Sequence, residues 1–149
     1  MPPTISDEIG DQYSDHVHPW EEILHYVAIN QVSQLRRKRE DEIVYRKWTL
    51  ETIEKYKSIE NYLIKEKLHF PDIHPSYLIL PNDFPYSVEP GTEHILIWSK
   101  EPLMSEFVEH LLEQEYGSNV WEWTYFVNPP ELQSVRRFPH VHVFMRKKK

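Results

Sequence analysis

His140-Val141-His142-Val143-Phe144-Met145 is the stretch that decides the fold. On an extended chain successive side chains point to opposite faces. His140 and His142 therefore share one face, and Val141, Val143 and Met145 the other. Upstream, Trp121, Trp123, Tyr125 and Val127 alternate with Glu122 and Thr124, which predicts a strand over 120–127. His94-Ile95-Leu96-Ile97-Trp98 and Tyr77-Leu78-Ile79-Leu80 are short apolar runs, the latter ended by Pro81, and read as two more strands. Between these pairs, Met104 to Tyr116 sets Phe107, Val108, Leu111 and Leu112 on one helical face and stops at Gly117.

The N-terminal half has the other period. Trp20, Ile23, Leu24 and Val27 fall at helical spacing behind Pro19, with Glu21 and Glu22 in the first turn. Residues 39–67 read as one long helix or two joined ones, with Ile43, Leu50, Ile53, Tyr56, Ile59 and Leu63 three to four apart in most steps. Arg36-Arg37-Lys38-Arg39 is answered by Glu40, Asp41 and Glu42. A charge-paired helix surface is the favoured reading of that run, and a phosphate-binding patch the other. The expected architecture is α+β, N-terminal helices packed on a mainly antiparallel sheet. An acidic flexible tail is expected over 1–18 and a single domain over 19–149, with a helical half at 19–69 and a sheet-containing half at 77–146.

Composition bounds the function. The chain has 149 residues and no cysteine, which excludes disulfides, zinc-thiolate centres and cysteine nucleophiles. Its net charge of −7 argues against a general nucleic-acid or anionic-membrane surface. No apolar run reaches the roughly 18–20 residues that span a bilayer. The polar, acidic start from Met1 to Gly10 resembles neither a secretory signal nor a transit peptide. A soluble protein of the cytoplasm, with the nucleus open to it as well, is the expectation.

Two imidazoles on one strand face suit two chemistries. They can hold one metal ion, with His94 as a third ligand and zinc or another divalent ion as the cofactor. They can also serve phosphoryl chemistry without a cofactor, one ring attacking phosphorus while the other holds oxygens. Against both stands the plain reading, two half-exposed histidines on an edge strand. Arg136, Arg137 and Arg146 make both ends of that strand basic in an acidic chain, which favours an anionic small molecule, a nucleotide or sugar phosphate, as the partner. Asn82 and Asp83 open a Pro-rigidified loop that also carries Tyr86, a plausible ligand site or a structural turn. Gln133 and Ser134, in the loop feeding the histidine strand, could donate hydrogen bonds to a phosphate or sugar. The candidate site is thus His140 and His142 as catalytic groups, with Asn82, Asp83, Tyr86, His94, Gln133, Ser134, Arg136 and Arg137 binding the ligand. It is expected where the 81–94 loop meets the 133–142 segment. A non-enzymatic scaffold using Phe84, Tyr86 and the acidic tail is the alternative.

Four ordered motifs, Asn82-Asp83-Phe84-Pro85-Tyr86, His94-Ile95-Leu96-Ile97-Trp98-Ser99-Lys100, Leu132-Gln133-Ser134-Val135 and His140-Val141-His142-Val143, resemble a mainly fungal family of unknown function, the N-acetylglucosamine-induced protein family. Trp20, Asn30 and Tyr62 fall in matching places, so the resemblance runs from about Trp20 to Met145. It implies no particular reaction. The end of the chain, Gln133-Ser134-Val135 followed by His-x-His-Val, also looks like that of histidine-triad nucleotide hydrolases and transferases. That likeness implies a HIT-like fold, His140 as nucleophile and His142 as the last histidine. Phe138 stands where the first histidine would be, and residues 136–139 intrude before the dyad.

Overall fold

The computed structural model describes residues 15–128, 135 and 137–149. Its elements are α1 (Trp20–Ala28), a 3-10 turn (Val32–Gln34), α2 (Arg39–Tyr56), α3 (Ile59–Tyr62) running into a π turn (Leu63–Lys67), β1 (Tyr77–Pro81), β2 (Thr92–Ser99), α4 (Ser105–Glu115), β3 (Trp121–Phe126) and β4 (His140–Lys147). The strands form one sheet in the order β1-β2-β4-β3, every pairing antiparallel, which makes this an α+β fold. None of the described helices is long and apolar enough to cross a membrane.

The register brings the histidines together. Phe144, His142 and His140 of β4 lie opposite His94, Leu96 and Trp98 of β2. Residues directly opposite share a face, so these six form one surface. Ile95, Ile97, Val141, Val143 and Met145 form the other, and α4 covers it with Val108, Leu111 and Leu112. Trp121, Trp123 and Tyr125 pack around that cluster.

The helical half covers the histidine face. Trp20, Ile23, Val32 and Leu35 pack with Phe126 and Phe144, while Leu63 and Leu68 pack with Trp98 and Val135. Of the two options for 39–67, joined helices are realised. Lys57 takes a left-handed conformation (φ 76°), and Ser58 accepts the Asn61 N–H at 3.0 Å to start α3. The expected apolar face of α2 is corrected. Leu50 and Ile53 are 59% and 42% exposed, while Glu42 and Thr52 are buried. The boundary of the tail is corrected too. His18 is buried, its N–H donates to the Ser87 carbonyl at 2.8 Å, and it forms a parallel bridge with Val88. The Ser87 hydroxyl donates to the His16 carbonyl, so the packed body includes residues 16–18.

Candidate functional site

Between the histidine face and the helical half lies a cavity of about 490 Å³, within the size range of small-molecule sites. His140 and His142 form part of its lining with Trp98 and Asn128. The edge-strand reading is corrected, because β4 is central and both rings are covered. His140 packs against Trp98 with centroids 4.4 Å apart and the rings tilted by 31°. Its Nδ1 lies 3.1 Å from the Phe138 carbonyl. A carbonyl only accepts, so Nδ1 carries the proton and Nε2 keeps the lone pair.

His142 lies deeper. It stacks on Phe126 at 5.1 Å and on Tyr86 at 5.6 Å. Its Nδ1 is 3.0 Å from His94 Nε2, and its Nε2 is 3.2 Å from Asn128 Nδ2. His94, behind the lining, receives the Tyr86 backbone N–H on Nδ1 at 3.1 Å. Burial sets the charge of all three rings. It holds His94 well below its ordinary range, helped by the charges of His142 and Arg37. It pushes His142 down to about 3, with His140 and Arg37 adding to the effect. His140 is also lowered by burial, with the Phe138 carbonyl opposing. The imidazole floor is therefore neutral at pH 7. Burial raises the Tyr86 phenol, partly offset by Arg37, so it stays protonated.

The opposite wall comes from the 36–48 segment and the 82–86 loop. Arg37 Nε donates to the Phe84 carbonyl at 2.6 Å, and Nη1 reaches the buried Glu42 at 3.4 Å. Its guanidinium carbon sits 4.0 Å from the Tyr45 ring centroid. Trp48 packs against Phe84 at 4.9 Å and Tyr62 at 5.3 Å, giving an aromatic wall. Lys67 Nζ pairs with Asp83 at 3.3 Å, joining the π turn to the loop, and both line the cavity.

The structure thus brings together Asn82, Asp83, Tyr86, His140 and His142 at one cavity, with His94 immediately behind. Asn82 Oδ1 accepts the Phe84 N–H at 2.9 Å and so fixes the loop as a turn. Arg137 is exposed, absent from the lining, with its guanidinium 5.3 Å from the Phe138 centroid. Gln133, Ser134 and Arg136 lie outside the described residues. Sequence reasoning missed Glu42, Tyr45, Trp48, Tyr62, Trp98 and Asn128. The one usable signal was the basic run: Arg37 does pair with an acid, as the surface reading expects, but inside the cavity wall.

Among the described residues, the potential metal ligands that converge are His16, His18 and Glu22. The Arg36 N–H donates to His18 Nε2 at 3.1 Å, so the ring proton sits on Nδ1 and is given to Glu22 at 2.6 Å. A ligating histidine has the reverse arrangement. The expected set of His94, His140 and His142 does not converge in this way.

The sequence pattern of a family described as a protein of unknown function, DUF3605, matches residues 19–146. The chain belongs to this family. N-acetylglucosamine-induced protein 1 of Candida albicans is 26% identical over 190 residues, 98% of this chain and 73% of that protein. Uncharacterized protein YPL067C of Saccharomyces cerevisiae is 38% identical over 87 residues, 46% of this chain and 43% of the relative. A solved structure described as the crystal structure of HTC1 shares the fold with a TM-score of 0.62 at 26% identity, covering 86% of this chain and 84% of that one.

Proposed function

We propose that the cavity binds an anionic small molecule, a nucleotide or sugar phosphate, and that His140 transfers or hydrolyses its phosphoryl or nucleotidyl group. One observation carries this reading: a neutral imidazole at the cavity has its Nδ1–H committed to the Phe138 carbonyl and its Nε2 lone pair without a hydrogen-bond partner among the described residues. That is the state a nucleophile needs. Nε2 forms a bond to phosphorus as the phosphorus–oxygen bond to the leaving group breaks, and the leaving oxygen takes up a proton. Water or a second acceptor then displaces the histidine. Arg36, Arg37 and Lys67 supply positive charge to the lining, and Trp48, Tyr62 and Phe84 a surface for a base or sugar ring.

The test is thermal unfolding against a panel of nucleotides and sugar phosphates, followed by turnover of whichever compound stabilises. A ligand at one hundred times its Kd adds about 2.7 kcal/mol, roughly 5–10 °C at this size. His140→Asn is expected to keep the fold and the ligand-induced shift while losing turnover. A folded His140→Asn with unchanged turnover overturns the nucleophile. Absence of any shift overturns the ligand class.

A further inference from the structure

We propose that the backbone amide of Tyr86, acting through His94, locks His142 as the Nε2–H tautomer. His94 and His142 are then positioning residues. They hold the Asn128 side chain with its oxygen on the ring and its NH₂ turned away. This relay does not depend on what the cavity binds; the phosphoryl-transfer reading supplies only its use.

The argument starts from a group with no choice. A backbone N–H can only donate, and that of Tyr86 meets His94 Nδ1 at 3.1 Å. His94 Nδ1 must therefore hold a lone pair. A buried neutral ring has one proton left to place, so it sits on Nε2. That N–H faces His142 Nδ1 at 3.0 Å, which must accept. His142 is buried and neutral as well, so its own proton sits on Nε2. The neighbour there is the Nδ2 position of the Asn128 amide at 3.2 Å, so the relay requires the amide to be turned with Oδ1 in that place. Only the amide oxygen can accept, and amide orientation is properly assigned from such a network.

The opposite polarity fails at its last link. If the Asn128 NH₂ donated to His142 Nε2, His142 would carry Nδ1–H and His94 would accept on Nε2. His94 Nδ1–H would then face the Tyr86 N–H, two donors 3.1 Å apart. Adding a proton to either ring cannot relieve the conflict, because it only adds another donor to the chain. His140 has the other tautomer, fixed by the Phe138 carbonyl. Two histidines on one strand face, with centroids 5.4 Å apart, thus carry opposite polarity. Only His140 keeps its Nε2 lone pair for chemistry.

Long-range ¹H–¹⁵N correlation spectra of histidine-labelled protein at pH 7.5 test this. Nε2–H patterns are expected for His94 and His142, and an Nδ1–H pattern for His140. An Nδ1–H or doubly protonated His142 overturns the proposal. In His94→Phe, which keeps an aromatic ring but removes the donor, His142 is expected to populate the Nδ1–H form. A folded His94→Phe with His142 still wholly Nε2–H overturns the role of His94. Should that variant not fold, Asn128→Ala decides: His142 remains Nε2–H if Tyr86 sets the relay, and a switch to Nδ1–H overturns it.

Discussion

The two faces of the sheet are made by the same strands and solve burial in different ways. Under α4, Ile97, Leu112 and Val143 are fully enclosed among apolar neighbours. Under the helical half, His94 and His142 are almost as deeply buried, yet each is hydrogen-bonded and a cavity remains beside them. The first face is held by packing, which needs no direction. The second adds hydrogen bonds to the apolar packing around Phe144 and Trp98, and their loss costs the full desolvation of the orphaned group. The comparison teaches that one side of β4 is packed with apolar side chains alone, while the other combines apolar clusters with a hydrogen-bonded polar group beside a cavity.

Acid should separate the faces most strongly. His94 and His142 are neutral in the fold, with Arg37 and His140 opposing their charge, but titrate near 6.5 when unfolded. Their folded pKa values are depressed, so this stability is present in full above pH 6.5. It is lost as pH falls toward the folded values, near 3 for His142. From pH 6.5 to 5.0 His142 alone should remove about 2 kcal/mol, with His94 adding in the same direction. Urea midpoints at the two pH values measure this, and a His94→Phe, His142→Phe double variant should lose most of the slope. An equal slope in that variant would assign acid sensitivity to carboxylates instead.

On the packed face, Leu112→Ala should cost about 3 kcal/mol, lowering the thermal midpoint by roughly 10 °C with no change in pH slope. A steeper pH slope would mean that the faces are coupled. At the cavity wall, Arg37→Met should cost about 2 kcal/mol, because buried Glu42 loses the guanidinium 3.4 Å away while Arg46 Nε stays at 3.7 Å. Arg37→Met with Glu42→Met should recover most of that loss by denaturant titration. A double variant as unstable as the sum of the singles would mean that Arg37 acts through Phe84 and Tyr45 instead. Asp83→Ala should cost only about 0.5 kcal/mol or less, since its pairing with Lys67 is solvent-exposed. A larger loss in equilibrium unfolding would make that pair structural.

Strands were the most legible part of the fold. Alternation in 121–126 and 140–145 has only one way to separate apolar from polar side chains. Helix ends were legible where a residue type forces them, as at Pro19 and Gly117. The break at Lys57 was harder, because a left-handed lysine has no signature of its own and only Ser58 marks the new start. The faces of α2 were misread because Glu42 is buried beside Arg37 and Thr52 is buried as well, while Leu50 and Ile53 face water. His18 was assigned to a tail because its partners, Arg36 and Ser87, lie far along the chain.

By itself the sequence determined that β4 would present two histidines together, away from Val141, Val143 and Met145, because a strand's period is a property of the backbone alone. It also determined the order of helices and strands through local spacing. Tertiary structure decided what those histidines do. The β2–β4 register placed His94 beside His142 rather than one step away on the opposite face. Docking of the helical half then turned that surface from a solvated edge into the floor of a cavity and brought Arg37, Glu42 and Trp48 across from it. Register and docking depend on contacts between residues many positions apart, and no local pattern encodes those partners.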